Sequence, residues 1–180
     1  MTAATATKPG NPLRIAVWSL VIALWLLPLI AKLFTAEVNW SVFDHLLWAV
    51  LLAVPAGLYE LATRMSRNRA YRAGFALAVA TGFFICWSNL AVGIVGNEDN
   101  AINLIFYGVL ALGVIGALVA RFEAAGMARV LTIVAVAQGA TAILALVEDG
   151  GRVFLILSLF VAMWLTSAEL FRKAAREKGV

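Results

Sequence analysis

Apolar residues run along this chain in six blocks, and the polar residues collect in the gaps between them. The blocks span about 13–34, 41–63, 71–95, 101–121, 126–147 and 153–171. Each is close to the roughly 20 residues that a helix needs to cross the hydrocarbon core of a bilayer. Lipid offers the backbone no hydrogen-bond partner, so a run of that length satisfies its own amides as helix. The pattern predicts an all-α polytopic membrane protein, a bundle of six transmembrane helices.

The gaps sort by charge. Counting from the N-terminus, Lys8 and Arg14 precede the first run; Arg64, Arg67, Arg69 and Arg72 fill the second gap. Arg121 and Arg129 flank the fourth, and Arg172, Lys173, Arg176 and Lys178 close the chain. Only Lys32 and Arg152 fall on the other side, a split of twelve to two. Cytoplasmic loops retain positive charge, so both termini are expected in the cytoplasm. The first run is long for a signal peptide, contains Pro28 and is followed by Lys32 rather than by a small-residue cleavage site, so it is expected to stay as a span. Residues 1–12 read as a disordered cytoplasmic tail, 13–173 as the six-helix domain and 174–180 as a basic cytoplasmic tail.

Within the third run Gly74, Ala78, Gly82, Cys86, Asn89, Gly93 and Gly96 recur every three or four residues, which places them on one helix face. Small residues let membrane helices approach closely. The fourth run repeats the theme with Gly108, Gly116 and Ala120 and again with Gly113 and Ala117. The fifth does so with Ala135 and Gly139, and with Ala137, Thr141 and Ala145. Spans three to five are therefore expected to form the tight centre, with spans one and six, richer in Leu, Phe and Trp, facing lipid. Trp40 and Trp48 are placed to anchor the interface.

Composition narrows the function classes. The chain is 63% hydrophobic and 13% charged, with a mean hydropathy of +0.95, more apolar surface than a soluble domain of this size can use. The net charge of +4 comes from loop anchors that answer to lipid and insertion polarity, so no nucleic-acid partner is expected; the lipid bilayer is. A single Cys86 excludes an intramolecular disulfide, and one Cys with one His excludes a zinc cluster. No cofactor is expected.

Polar groups placed in lipid are the usual pointers to function, and here no charged residue falls near the middle of a run. Gln138 is the deepest strongly polar residue, with Thr141 one turn outward; these two and Asn89 read as a polar path or as helix–helix contacts. On the face opposite the basic gaps lie Glu37, Asp44, His45, Glu98, Asp99, Glu148 and Asp149. Oxygen-rich groups suit hard cations, and His45 with carboxylates can hold a transition metal, which makes Asp44, His45, Glu98 and Asp99 weak metal candidates. The plainer reading makes Asp44 a favourable charge at a helix N-terminus and Asn97 or Asp99 a cap for span four. Adjacent helix residues diverge by about 100°, so Asp44 and His45 are not expected to bond to each other. No catalytic spacing is present.

The stretch Trp87-Ser88-Asn89-Leu90-Ala91-Val92-Gly93-Ile94-Val95-Gly96-Asn97-Glu98-Asp99-Asn100, continuing through Asn103-Leu104 to Gly108-Val109-Leu110, is similar to small multi-span proteins of proteobacteria with no assigned activity. Those proteins often carry Pro after the Asn, where this chain has Ala101. The resemblance implies a bacterial inner-membrane location and points to Asn97, Glu98, Asp99, Asn100 and Asn103 as a signature turn, while supplying no reaction. The sequence thus leads to a non-enzymatic accessory, assembly or sensing component that contacts a second copy or another membrane protein. The alternative is a small transporter or channel subunit for a neutral or cationic solute, with an acidic outer vestibule.

Overall fold

A computed structural model describes residues 12–97 and 99–178. Six α-helices follow in order, α1 (Pro12–Ala31), α2 (Val42–Met65), α3 (Arg69–Ala91), α4 (Leu104–Val119), α5 (Ala124–Asp149) and α6 (Phe154–Lys178), with a short 3-10 turn, Ala101–Asn103, before α4. Among the described residues there is no strand. All six helices, α4 together with its 3-10 turn, are long and apolar enough to cross a membrane, as the six apolar blocks require. The chain is an all-α polytopic membrane protein. It divides into two units, residues 1–60 and 61–180.

In the first unit α1 and α2 are held together by indoles. Pro28 sits inside α1 and has no N–H, so the carbonyl four residues earlier, that of Leu24, loses its helical donor. The Trp48 indole supplies one, donating from Nε1 to Leu24 O at 3.0 Å. Trp48 is therefore a strut between the two helices. Trp25 Nε1 donates in the other direction to His45 O at 3.3 Å. Trp18 Nε1 donates to Glu60 Oε2 at 3.0 Å, and Arg14 pairs with Glu60 Oε1 at 3.1 Å.

In the second unit the partner of the small-residue face of α3 is α6. Gly74 is close enough that an added Cβ would lie 3.1 Å from both Leu170 Cβ and Phe171 Cδ2, while one on Gly82 would meet Trp164 Cη2 at 4.0 Å. The Ser167 hydroxyl donates to Gly74 O at 2.6 Å. Leu157, Phe160, Trp164, Ser167, Ala168, Phe171 and Ala174 of α6 are all buried, against α5 on one side and α3 on the other. This overturns the expectation that span six faces lipid. Large aromatic side chains are what fill the space that glycines on a neighbouring helix leave, so richness in Phe and Trp marked a packing face. Burial of Phe171 and Ala174 also carries α6 through to Lys178, into the segment expected as a tail from 174. The expected N-terminal tail lies outside the described residues except for Pro12.

α4 packs mainly on α5, where Gly116 faces Val130 and Gly113 faces Val134. Their connection is tight: Arg121 and Phe122 both take left-handed backbone conformations, with φ of 50° and 58°, each costing about 1–3 kcal/mol. Phe122 is held there by Tyr71, whose hydroxyl donates to Phe122 O at 2.8 Å, and by its ring against Phe75, centroids 6.3 Å apart. At this same N-terminal end of α3, Arg72 returns to the end of α2, donating to Ser66 O at 2.7 Å and Thr63 O at 2.8 Å. One arginine of the basic gap is thus a C-terminal cap.

Candidate functional site

The turn that joins α3 to α4 is built around one side chain. α3 stops at Ala91 because Gly93, with φ 71°, turns the chain left-handed, and Gly93 N bonds back to Asn89 O at 3.2 Å. Gly96, φ 72°, turns it again; glycine reaches this region without the Cβ penalty. The loop would leave buried amides at Ile94 and Val95, 6% and 1% exposed. Asn103 satisfies both: its Oδ1 accepts from Ile94 N at 3.1 Å and from Val95 N at 2.9 Å. Its Nδ2 donates to Val95 O at 3.2 Å and to Asn97 O at 2.7 Å. All four bonding positions of this carboxamide are used.

Asn89 joins the same network. Its Nδ2 donates to Asn103 O at 2.9 Å, and since a carbonyl only accepts, that contact fixes which way the carboxamide points. Asn89 is 4% exposed and its Oδ1 is buried without a partner. The cap expected from Asn97 or Asp99 comes instead from Asn100, whose Oδ1 accepts from Ile102 N at 3.1 Å. Asn100 is the residue directly before the 3-10 turn, the position from which a short side chain reaches the second following amide. Glu98 lies outside the described residues. Asp99 is exposed.

Beside this turn is a recess of about 360 Å³ lined by Asn89, Leu90, Asp99, Asn100, Leu104 and Tyr107, among others. Sequence reasoning named the asparagines and Asp99 but missed Leu90, Leu104 and Tyr107. The available signal was spacing, since Tyr107 follows Asn103 by four residues and so shares its helix face.

The other candidates lie elsewhere. Gln138 and Thr141 are buried on α5 and bond to each other, Gln138 Nε2 donating to Thr141 Oγ1 at 3.0 Å and Thr141 Oγ1 to Gln138 O at 2.7 Å. Gln138 Oε1 has no partner, and neither does Trp164 Nε1. Arg172 Nη2 donates to Thr132 Oγ1 at 2.7 Å and so ties α6 to α5.

Asp44 and His45, in the first unit, both turn to Ser41. Asp44 Oδ2 accepts from Ser41 N at 2.7 Å and from Ser41 Oγ at 2.8 Å, and Asp44 N donates back to Ser41 Oγ at 3.2 Å, a reciprocal cap of the capping-box kind. His45 Nδ1 lies 2.8 Å from Ser41 O, so it carries the proton. Among the described residues no group of three His, Cys, Asp or Glu side chains is placed to hold a metal ion.

Comparison with known proteins gave no match: no family model, no curated protein and no solved structure resembles this chain.

Proposed function

We propose that the protein is a non-enzymatic accessory or sensing component of a bacterial inner membrane, with both termini in the cytoplasm. On this reading it works by contact, and the α3–α4 turn is its recognition element for another membrane protein or a second copy of itself. The carrying observation is Asn103. Its four side-chain bonds hold a loop in one conformation while Asn97, Asp99 and Asn100 remain exposed on it. A loop ordered in advance loses little entropy when a partner docks, which is the main cost of binding through loops. The split of basic residues supports the orientation, and the likeness of residues 87–110 to proteobacterial multi-span proteins supports the membrane. A photo-crosslinking residue at Asp99 in native membranes should yield a discrete protein adduct. The same probe at Val136, 69% exposed on α5, should yield lipid adducts alone. Identical products from both positions would sink the reading.

One observation favours a second reading, a small transporter for a neutral or cationic solute. Gln138, at 0% exposure, keeps an acceptor without a partner, and buried polar atoms are normally bonded. On that reading Gln138→Leu abolishes solute flux in proteoliposomes while leaving the fold intact; unchanged flux removes Gln138 from any path.

A further inference from the structure

The turn between α4 and α5 carries an arginine where the backbone favours glycine. Arg121 has φ 50° and Phe122 φ 58°, a region that glycine enters without the steric penalty a Cβ brings. For Phe122 the chain offsets the strain, because its ring packs on Phe75 and its carbonyl accepts from the Tyr71 hydroxyl. For Arg121 it does not. The side chain is exposed, and no group among the described residues bonds its guanidinium.

A second arginine joins it. The α4 span ends at Val119 and the α5 span starts at Ala124, so Arg121 lies between them, at headgroup depth. Arg129 is exposed on α5, roughly 7.5 Å inside its span at 1.5 Å per residue, where a charge facing lipid is costly. Its Nε reaches back one turn toward Ala125 O, 3.4 Å away, which carries the guanidinium toward the headgroups as in a snorkelling side chain. Gly126 precedes Arg129 by three residues and so shares its face of α5. That face meets the end of α4, since a Cβ on Gly126 would lie 2.8 Å from Ala120 Cβ. The two guanidinium groups therefore belong to one edge of the second unit. Glu123 is also exposed there and pairs with neither arginine. Apolar surface continues the edge into the lipid: Val119 is 79% exposed and Ile133, one turn beyond Arg129, 57%.

We propose that this edge binds an anionic phospholipid, its phosphate on Arg121 and Arg129 and its acyl chains along Val119 and Ile133. A planar guanidinium takes a phosphate through two parallel N–H bonds. Two arginines against the single Glu123 carboxylate leave one positive charge in excess for it. A lipid is what sets a phosphate beside exposed valine and isoleucine; a free anion would use the arginines alone. A basic residue needed only for insertion polarity would serve equally from an unstrained position, so polarity does not account for an arginine at φ 50°. The edge is separate from the α3–α4 turn, and its role does not depend on that turn's.

The test follows the full-length protein in neutral detergent by native mass spectrometry and thermal unfolding, with phosphatidylglycerol, phosphatidylcholine or inorganic phosphate added. Salt is held at about 150 mM, where the screening length is about 8 Å. Phosphatidylglycerol should bind saturably and raise the melting midpoint. Phosphatidylcholine, whose own cation the arginines repel, should bind about tenfold more weakly, the factor that one charge-assisted bond supplies. Phosphate alone should not stabilise. Arg121→Gly should melt at least as high as the unaltered chain without lipid, because the strain is gone, yet lose about tenfold in affinity for phosphatidylglycerol. Arg129→Gln should lose about as much, and Arg176→Gln, at an exposed position on α6, should bind normally. The proposal is overturned if Arg121→Gly melts lower without lipid, which would give Arg121 a role inside the fold, or if either Arg121→Gly or Arg129→Gln keeps full affinity. It is equally overturned if Arg176→Gln loses as much as they do, if phosphatidylcholine binds as well, or if inorganic phosphate stabilises as the lipid does.

Discussion

Asn103→Ala is the sharpest perturbation of the α3–α4 turn. It deletes four hydrogen bonds at once, two accepted from Ile94 and Val95 and two donated to Val95 and Asn97. The carbonyls retain a second lone pair and, at Asn97, access to water. The amides do not, because Ile94 and Val95 are 6% and 1% exposed. Stranding a buried backbone donor costs about 1–3 kcal/mol, so two give roughly 2–6 kcal/mol, and water entering from the exposed rim at Asn97 and Asp99 brings the expectation to about 3 kcal/mol. Asn89→Leu is the control. It loses one bond, to Asn103 O at 2.9 Å, but it also removes the unpartnered Oδ1, so its net cost should be near 0–1 kcal/mol.

Two assays read the difference. Detergent-to-SDS unfolding followed by helicity should separate the variants by about 2 kcal/mol, since polar bonds between membrane helices average only about 0.6 kcal/mol each and one such bond cannot match four. Hydrogen–deuterium exchange should show Ile94 and Val95 losing roughly a hundredfold protection in Asn103→Ala, the factor that about 3 kcal/mol implies, with α5 and α6 unaffected. Equal costs for the two variants, or unchanged protection at Ile94 and Val95, would show that the turn is held by something other than Asn103.

Three further outcomes follow from the packing. Trp48→Phe should cost about 1–2 kcal/mol by stranding Leu24 O, and most of that cost should vanish in a Pro28→Ala background, where residue 28 regains an N–H; a double-mutant cycle with no coupling refutes the strut. Gly116→Ala would put a Cβ 2.5 Å from Val130 Cγ1, whereas Gly108→Ala meets nothing within 4 Å. The first should destabilise by about 1–3 kcal/mol and the second should be neutral or slightly stabilising, as read by SDS unfolding. Gln138→Leu should be neutral or raise stability by about 1 kcal/mol, because it replaces an acceptor without a partner by apolar surface, while Thr141 keeps its bond to Gln138 O; a loss above about 2 kcal/mol would mean that the Gln138–Thr141 pair carries more than a single bond.

What the sequence made legible is what lipid dictates. Run length set the six helices, and the glycine periodicity of α3 correctly marked a packing face at Gly74 and Gly82. What it could not show was the partner of that face. Leu, Phe and Trp serve equally well against acyl chains and against glycines, so nothing in the composition of α6 separated the lipid-facing reading from the observed burial of Phe160, Trp164 and Phe171. Helix ends were similarly blurred: the apolar run 71–95 continues past Ala91, and only the conformations of Gly93 and Gly96 end the helix inside it.

The polar residues divide by a rule that sequence does not contain. Thr81, Ser158 and Thr166 each donate to the carbonyl four residues back in their own helix, so they are satisfied locally and need no partner across the bundle; Thr132 donates likewise to Ala128 O and also accepts from Arg172 of α6. Ser167 has the same chemistry and instead bonds across to Gly74 O, because the glycine lets the two backbones come close enough for a short side chain to span. Carboxamides lack that local option at full capacity: one helix cannot satisfy two donors and two acceptors on a single side chain. A buried Asn or Gln must therefore find irregular backbone or keep an atom without a partner. Asn103 finds it in the 94–97 loop and completes all four bonds. Asn89 and Gln138 do not, and each keeps a bare oxygen. By this reasoning the buried carboxamide oxygens without a partner among the described residues of the second unit are those of Asn89 and Gln138, and of these two residues only Asn89 lies near an exposed carboxylate, that of Asp99.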